Sequence, residues 1–223
     1  MSIKVNHPHF ERFPQLQPYV GENYGNGKAK RLLILGESHY QPKGATKHLN
    51  PEVWYNQLSH KDLGEEEHGW TDTAGIVLEA RDVDITLRAY RIYMNIAKEL
   101  NALGLRYENY TDALLHIMYM NYFQRPAEET GKSIRVTGID RQMAESVMRA
   151  VLRDCQPELV IIVSKLAADN NAWRVFDEMG IPYAVTPHPA CVWWNKYAGK
   201  YGNRRGRDVF NDFLKEHDWV HTS

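Results

Sequence analysis

The chain has 223 residues and an almost balanced charge, with 27 Lys and Arg against 28 Asp and Glu. This length is ample for a hydrophobic core, and a composition 43% hydrophobic and 25% charged is typical of a globular protein. We predict one domain over residues 1–223, with residues 1–30 as an irregular N-terminal arm. The net charge of −1 does not indicate a nucleic-acid partner, but a net value is also compatible with a local basic patch that is balanced by acidic residues elsewhere.

The two cysteines, Cys155 and Cys191, form no CxxC pair, which argues against a disulfide framework, a zinc ribbon and a cysteine-ligated iron–sulfur cluster. The ten histidines contain no HExxH pattern, so we predict no metal and no other cofactor. The N-terminus lacks the apolar run of a signal peptide, and no stretch reaches the ~20 apolar residues of a membrane helix. We therefore expect a cytoplasmic monomer with no membrane partner.

In chain order, the first predicted strand covers residues 32–35, Leu-Leu-Ile-Leu. Short continuous apolar runs of this kind are typical of strands buried on both faces of a parallel sheet. A short helix is expected to begin at Asn50-Pro51, whereas the acidic run at residues 65–67 predicts a solvated loop.

Apolar residues then recur at three- and four-residue steps from Asp84 to Leu100, which predicts an amphipathic helix. A second buried strand is predicted over residues 114–123. Thr137 followed by Asp140 matches a capping box, so another helix should begin there.

Residues 159–163, Leu-Val-Ile-Ile-Val, give the clearest buried strand, and a last short strand follows at residues 182–186. Between them a helix is predicted from Lys165 to Met179, and a final helix runs from about Asp208 to His217. Strands that alternate with helices indicate the α/β class. We predict a three-layer α/β/α sandwich around a central, mainly parallel, roughly four-stranded sheet.

Polar residues follow the predicted strands at the points where each one ends. Ligands of open parallel sheets bind outside the carboxyl ends of the strands. Glu37 follows the first strand, Asn121 the second and His188 the last. The architecture therefore predicts that these three side chains converge on one site.

Four segments of the chain resemble, in the right order, motifs of the uracil-DNA glycosylase superfamily. They are LLILGESHY, MYMNYFQRP, RDCQPELVIIVSKLAAD and VTPHPA, and together they span roughly residues 31–195. The resemblance implies a sandwich fold of that family and no iron–sulfur cluster, because the four cysteines are absent. It also implies hydrolysis of the N-glycosidic bond of uracil or another deaminated base, in single- or double-stranded DNA.

The resemblance assigns roles residue by residue. His188 matches the catalytic histidine and Asn121 the asparagine that hydrogen-bonds the extruded base. Glu37 matches the glutamate of the first motif and would support the oxocarbenium-like sugar or orient water. The remaining residues that this motif contributes to base binding are Gly36, His39 and Tyr40, the last where some families place a tyrosine that blocks the thymine methyl group.

Three departures from the motifs keep other functions open. Ser38 occupies the catalytic position of a water-activating aspartate, His39 replaces a proline, and Ala190 replaces the serine after His-Pro. These changes are compatible with a catalytically silent nucleic-acid-binding relative. A serine hydrolase that uses Ser38 and His188 is a third hypothesis, because residues 36–38 begin like a G-x-S-x-G elbow.

Residues 191–207 suit contact with DNA. Trp193 and Trp194 can wedge between bases or stack on them. The basic residues that follow have no acid among them and match what phosphate contacts require: Lys196, Lys200, Arg204, Arg205 and Arg207. The alternatives are that the tryptophans pack against the final helix and that the basic residues form a solvated face.

Overall fold

The computed structural model of the chain describes residues 3–82 and 90–220, without the side chain of Lys200. It is a mixed α/β structure with a five-stranded sheet in the order β1-β3-β2-β4-β5. The strands are β1 Tyr19–Val20, β2 Leu32–Gly36, β3 Ile117–Asn121, β4 Leu159–Ile162 and β5 Tyr183–Val185. Strand β1 is antiparallel to β3, and the other neighbouring pairs are parallel.

The central strands confirm the prediction from the apolar runs, because every residue of β2, β3 and β4 is buried. Such burial on both faces is expected where helices cover a parallel sheet. The second strand is shorter than predicted, since residues 110–116 form a 3₁₀ helix that leads into it.

Nine α-helices lie in the described residues. They are α1 Pro8–Arg12, α2 Pro51–Asn56, α3 Glu65–Gly69, α4 Thr73–Asp82, α5 Arg91–Leu100, α6 Gly138–Cys155, α7 Lys165–Asp169, α8 Arg174–Met179 and α9 Gly206–Glu216. The predicted starts of α2 and α6 are confirmed. Asn50 caps α2 through its side-chain oxygen, and Thr137 and Asp140 form the capping box of α6.

Alternate side chains of the strands enter two separate hydrophobic clusters. Leu33, Met118 and Val160 contribute to the first, which also contains buried residues of α1, α2, α6 and α8. Leu32 and Ile117 contribute to the second, together with buried residues of α4, α5 and α9. The period-two alternation of a strand explains why consecutive residues divide between the clusters.

Several predicted elements differ from the structure. The sheet has a fifth strand, β1, and it lies in the predicted irregular arm, which also forms α1 and buries Phe10 and Phe13 in the core. The acidic run is the first turn of α3, because Glu67 accepts a hydrogen bond from the Gly64 amide at 2.8 Å and so caps that helix. Helix α4 was not predicted.

The predicted helix from Lys165 to Met179 is two helices. Asn171, between α7 and α8, adopts a left-handed backbone conformation with φ of 63°, which interrupts the helical path. The predicted helix start at Asp84 lies outside the described residues, while α5 confirms the rest of that helix.

None of the helices in the described ranges combines the length and the apolar character needed to span a bilayer.

Candidate functional site

The carboxyl ends of the four parallel strands lie along one edge of the sheet. Gly36 is in register with Asn121, and the amide of Val163 donates to the Leu35 carbonyl at 2.9 Å. Asn121, Glu37, Ser164 and the loop after β5 therefore follow one another across that edge in the order β3, β2, β4, β5.

Asn121 is fixed from two sides. The Tyr119 hydroxyl donates to its Oδ1 at 3.2 Å, and the Gln124 side-chain amide donates to its carbonyl at 2.7 Å. Gly36 leaves room for this arrangement, because a Cβ at that position would collide with both Asn121 Oδ1 and the Tyr119 hydroxyl. Asn121 is 7% exposed, so its amide is nearly buried and is held in a fixed position at the end of β3.

Glu37 is held by its neighbour across the sheet. Ser164 Oγ donates to Glu37 Oε2 at 3.1 Å and accepts from the Ala167 amide at 3.1 Å, as the cap of α7. The pKa of Tyr40 is raised by its partial burial and by the negative charge of Glu37. Burial, Tyr93, Tyr40 and Glu37 likewise hold the pKa of Tyr119 well above its usual value. Glu37, Tyr40 and the Tyr119–Asn121 pair therefore interact electrostatically.

His188 lies exposed in the loop after β5. Its Nδ1 accepts a hydrogen bond from the Ala190 amide at 3.1 Å, so the neutral ring carries its proton on Nε2. Partial loss of solvent lowers the pKa of His188 below 6.5, which keeps the ring neutral near pH 7. Asn95 of α5 donates to the Pro189 carbonyl at 2.8 Å and ties this loop to the helix.

The structure brings Glu37 and Asn121 together on neighbouring strands but gives His188 no hydrogen bond to either of them within the described residues. His188 shares their edge of the sheet through the loop that continues β5, whose pairing with β4 extends to the Thr186 amide and the Ile162 carbonyl at 2.9 Å. The two ends of this edge therefore differ: Asn121 at the end of β3 is buried and hydrogen-bonded, whereas the His188 side chain after β5 is exposed.

Two residues of the first motif form part of the scaffold. His39 is 7% exposed, and its Nε2 lies 3.0 Å from Thr73 Oγ1 on α4. Burial lowers the pKa of His39 to about 4, so the ring is neutral. Ser38 Oγ is buried and has no hydrogen-bond partner in the described chain. The His39 ring is therefore turned away from solvent and connects the loop after β2 to helix α4.

Arg125, which the sequence did not single out, organises the loop after β3. Its fully buried guanidinium pairs with Asp140 through Nε at 2.9 Å and Nη2 at 3.0 Å, and with Glu128 at 2.9 Å. It also donates to the carbonyls of His48 and Arg135. Burial alone would raise the pKa of Asp140, but hydrogen bonds from Arg125 and Thr137 hold it below its usual value. The Arg-Pro dipeptide and the helix-capping aspartate are the sequence signals that point to this pair.

The predicted DNA-binding residues divide into different environments. Trp194 is 1% exposed and packs edge-on against Phe210 of α9 at 5.6 Å, so its predicted contact with bases is wrong and the packing alternative holds. Trp193 is 36% exposed, and Lys196 is exposed. The Lys200 side chain lies outside the described part of the structure.

Two of the predicted basic residues have acidic partners on α9. Arg204 pairs with Asp212, and Arg205 pairs with Asp208 at 2.7 Å. These acids lie just beyond the basic segment, so the segment carries less free positive charge than its sequence indicated.

A cavity of about 310 Å³ adjoins the loop of His188 and concentrates positive charge. It is lined by Arg91, Asn95, Pro189, Ala190, Cys191, Val192, Asn195 and Lys196, with no acid among them. Within the described ranges neither Arg91 nor Lys196 forms an ion pair. Arg91 was missed because it lies far away in sequence, on α5. A second cavity, of about 250 Å³, lies on the N-terminal arm, and neither is lined by Glu37, Asn121 or His188.

The described residues contain no cluster of three or more His, Cys, Asp or Glu side chains that could hold a metal ion. No protein-family model matches the chain, and no curated protein is significantly similar to it. The family indicated by the four motifs therefore stays a prediction, and the case for a function depends on the geometry of the sheet edge.

Proposed function

We propose that the chain is a DNA glycosylase, a divergent relative of the uracil-DNA glycosylases, that hydrolyses the N-glycosidic bond of uracil or another deaminated base. The observation that supports this proposal most strongly is the arrangement at one edge of the sheet. There the Asn121 amide, the Glu37 carboxylate and the neutral His188 ring each follow the end of a parallel strand. The two hydrophobic clusters, each with its own helices, support the expected three-layer sandwich of that family.

His188 supplies the leaving-group stabilisation in this proposal. Cleavage leaves negative charge on the departing base, and a preorganised hydrogen-bond donor near that charge contributes roughly 3–4 kcal/mol. The Ala190 amide occupies Nδ1, so Nε2 carries the proton of the neutral ring and is the donor.

Glu37 supports the sugar. As the base departs, the sugar acquires oxocarbenium character, which a nearby carboxylate stabilises. The hydrogen bond from Ser164 fixes one carboxylate oxygen, and the other is left to orient water or to face the sugar. Ser38 cannot replace an acid in this role because its hydroxyl is not ionised at neutral pH.

The cavity beside the His188 loop suits the phosphates of the substrate strand. Arg91 and Lys196, which form no ion pair within residues 3–82 and 90–220, provide positive charge, and Asn195 adds a neutral donor. Trp193, exposed in the same loop, suits stacking on a base next to the extruded one. A base must leave its stack for this chemistry, at a cost of a few kcal/mol, and these contacts offset that cost.

The geometry gives no support to a serine hydrolase. A nucleophilic serine needs a base within hydrogen-bond reach. In the described residues, the Ser38 hydroxyl has no partner, and the ring of the adjacent His39 is engaged with Thr73.

The test uses the full chain with oligonucleotides that contain one uracil, hypoxanthine or xanthine, in single- and double-stranded form. We expect abasic product from at least one of them, detected as alkali-labile strand cleavage. His188→Ala should reduce it by ~10²–10³, whereas His60→Ala, on a surface turn between α2 and α3, should not. Tight, salt-dependent binding without base release would instead identify a catalytically silent relative. Neither binding nor release, at high protein concentration, would overturn the proposal.

A further inference from the structure

We propose that Tyr119 is a positioning residue that fixes the orientation of the Asn121 amide, so that the site selects bases whose edge presents a carbonyl beside a ring N–H. This inference rests on the proposed function and specifies its substrate class. Nothing in the four motifs assigns a role to Tyr119, which lies two residues before Asn121 on β3 and is 3% exposed.

The direction of this hydrogen bond follows from a count of protons. The Tyr119 oxygen lies 3.2 Å from Asn121 Oδ1, and an amide oxygen carries no proton, so the hydroxyl must donate. The Asn121 nitrogen then makes no hydrogen bond within the described residues and is left for a ligand. Oδ1 retains a second lone pair, so the amide offers the ligand one donor and one acceptor.

Tyr93 of α5 supports Tyr119 from below. The two rings meet edge to face with centroids 5.0 Å apart. Burial raises the pKa of both tyrosines, so both stay protonated at neutral pH. Tyr93 therefore packs against the ring of Tyr119, and within the described residues it makes no hydrogen bond to Asn121.

The hydrogen bond between Tyr119 and Asn121 lies directly over Gly36. Any side chain at position 36 would occupy the space of both partner atoms. The glycine at the end of β2 is therefore required for the orientation of the amide, in addition to any turn it permits.

A fixed donor beside a fixed acceptor distinguishes two kinds of base. Uracil, hypoxanthine and xanthine present a carbonyl next to a ring N–H, which complements the amide. Cytosine and adenine present an amino group next to an unprotonated ring nitrogen, which places donor against donor and acceptor against acceptor. A site with unpaired polar groups rejects the wrong ligand much more strongly than one with apolar groups.

The experiment compares Tyr119→Phe with Tyr93→Phe, since each removes one hydroxyl and keeps the ring. Binding of free uracil and free cytosine is measured by calorimetry, and release of uracil and cytosine from single-stranded oligonucleotides by kcat/KM. For Tyr119→Phe, we expect the preference for uracil over cytosine to fall about tenfold, as removal of one orienting hydrogen bond implies. For Tyr93→Phe we expect the preference to be unchanged, and thermal melting should show that both variants are folded.

Different results would overturn the positioning role of Tyr119 and the proposed glycosylase activity. If the wild type binds uracil but Tyr119→Phe keeps its preference, or Tyr93→Phe loses it equally, the positioning role is overturned and the glycosylase proposal stands. Selective uracil binding without base release, abolished in Tyr119→Phe, supports the positioning role and refutes catalysis. If the wild type neither binds nor releases any base, both are overturned.

Discussion

The β3 side and the β5 side of the candidate site are built differently. Asn121 is held by hydrogen bonds from Tyr119 and Gln124, and the buried Arg125 pairs with Asp140 in the loop that follows. Around His188, the side chain itself is exposed although Pro187 and Pro189 on either side are buried, and Asn95 donates to the Pro189 carbonyl. The side that we propose reads the base is therefore fixed by side-chain hydrogen bonds, whereas no hydrogen bond from another side chain within the described residues fixes the His188 ring. Substitutions on the two sides should separate stability from activity.

The largest expected effect on stability is at Arg125. Arg125→Met leaves Asp140 buried without its main partner, and breaking a buried ion pair costs roughly 3–5 kcal/mol. The free energy of unfolding in urea should fall by about that amount. Arg141→Met, at an exposed arginine on α6 that contacts Asn170, is the matched control and should change little. A decrease below about 1 kcal/mol at Arg125 would remove the contrast between the two sides.

His188→Ala should affect activity almost alone. Base release should fall by ~10²–10³, the effect of removing one preorganised donor, while the free energy of unfolding changes by less than about 1 kcal/mol. The ring is exposed, so its removal creates no buried cavity. Since its pKa is lowered, release by the wild type should decline only below pH 6.5, as protonation displaces the Ala190 amide from Nδ1. Destabilisation as large as that of Arg125→Met would contradict the comparison.

The buried His39 gives the scaffold a pH dependence. Its pKa is about 4 when folded and near 6.5 when unfolded, so the unfolded chain takes up the proton first. This contribution is fully present above pH 6.5 and is lost as the pH falls towards 4, by about 3 kcal/mol. Urea unfolding of His39→Gln should be less pH-dependent than that of the wild type in this window. Parallel curves for the two proteins would show that His39 is not responsible.

The smallest expected effect concerns binding of the DNA phosphates. Arg91→Gln with Lys196→Gln should reduce the salt dependence of single-stranded DNA binding by ~1.4 in log–log slope, about 0.7 for each phosphate that is no longer neutralised. Arg204→Gln with Arg205→Gln should reduce it less, because Asp212 and Asp208 already neutralise that pair. Equal reductions would mean that the ion pairs open on binding and that the cavity has no special role.

Patterns that depend on local sequence predicted the fold well. Continuous apolar runs located β2 and β4, and the caps at Asn50 and Thr137 located two helix starts. Strand β1 could not be predicted, because a two-residue strand is defined by its partner in β3 and not by its own residues. Helix α3 was mistaken for a loop because its glutamates are typical of a solvated run, although one of them caps the helix.

The site divides in the same way. Parallel strand ends placed Glu37 and Asn121 on neighbouring strands, as predicted. The contact of Tyr119 with Asn121 depends on register and on the missing side chain of Gly36, which no spacing rule encodes. Trp193 and Trp194 are adjacent and of the same type, but they differ in exposure because only Trp194 packs against α9.

Helix α5 contacts both ends of this arrangement. Arg91 and Asn95, one turn apart, line the cavity, and Asn95 also holds the loop of His188. Tyr93, on the opposite side of the helix, contacts Tyr119 and through it Asn121. A single helix therefore contacts both the residue that we propose reads the base and the loop of the residue that we propose stabilises the leaving group. A small shift or tilt of α5 would therefore change the distance between Asn121 and His188, and with it the size of base that fits between them, without a substitution at either residue.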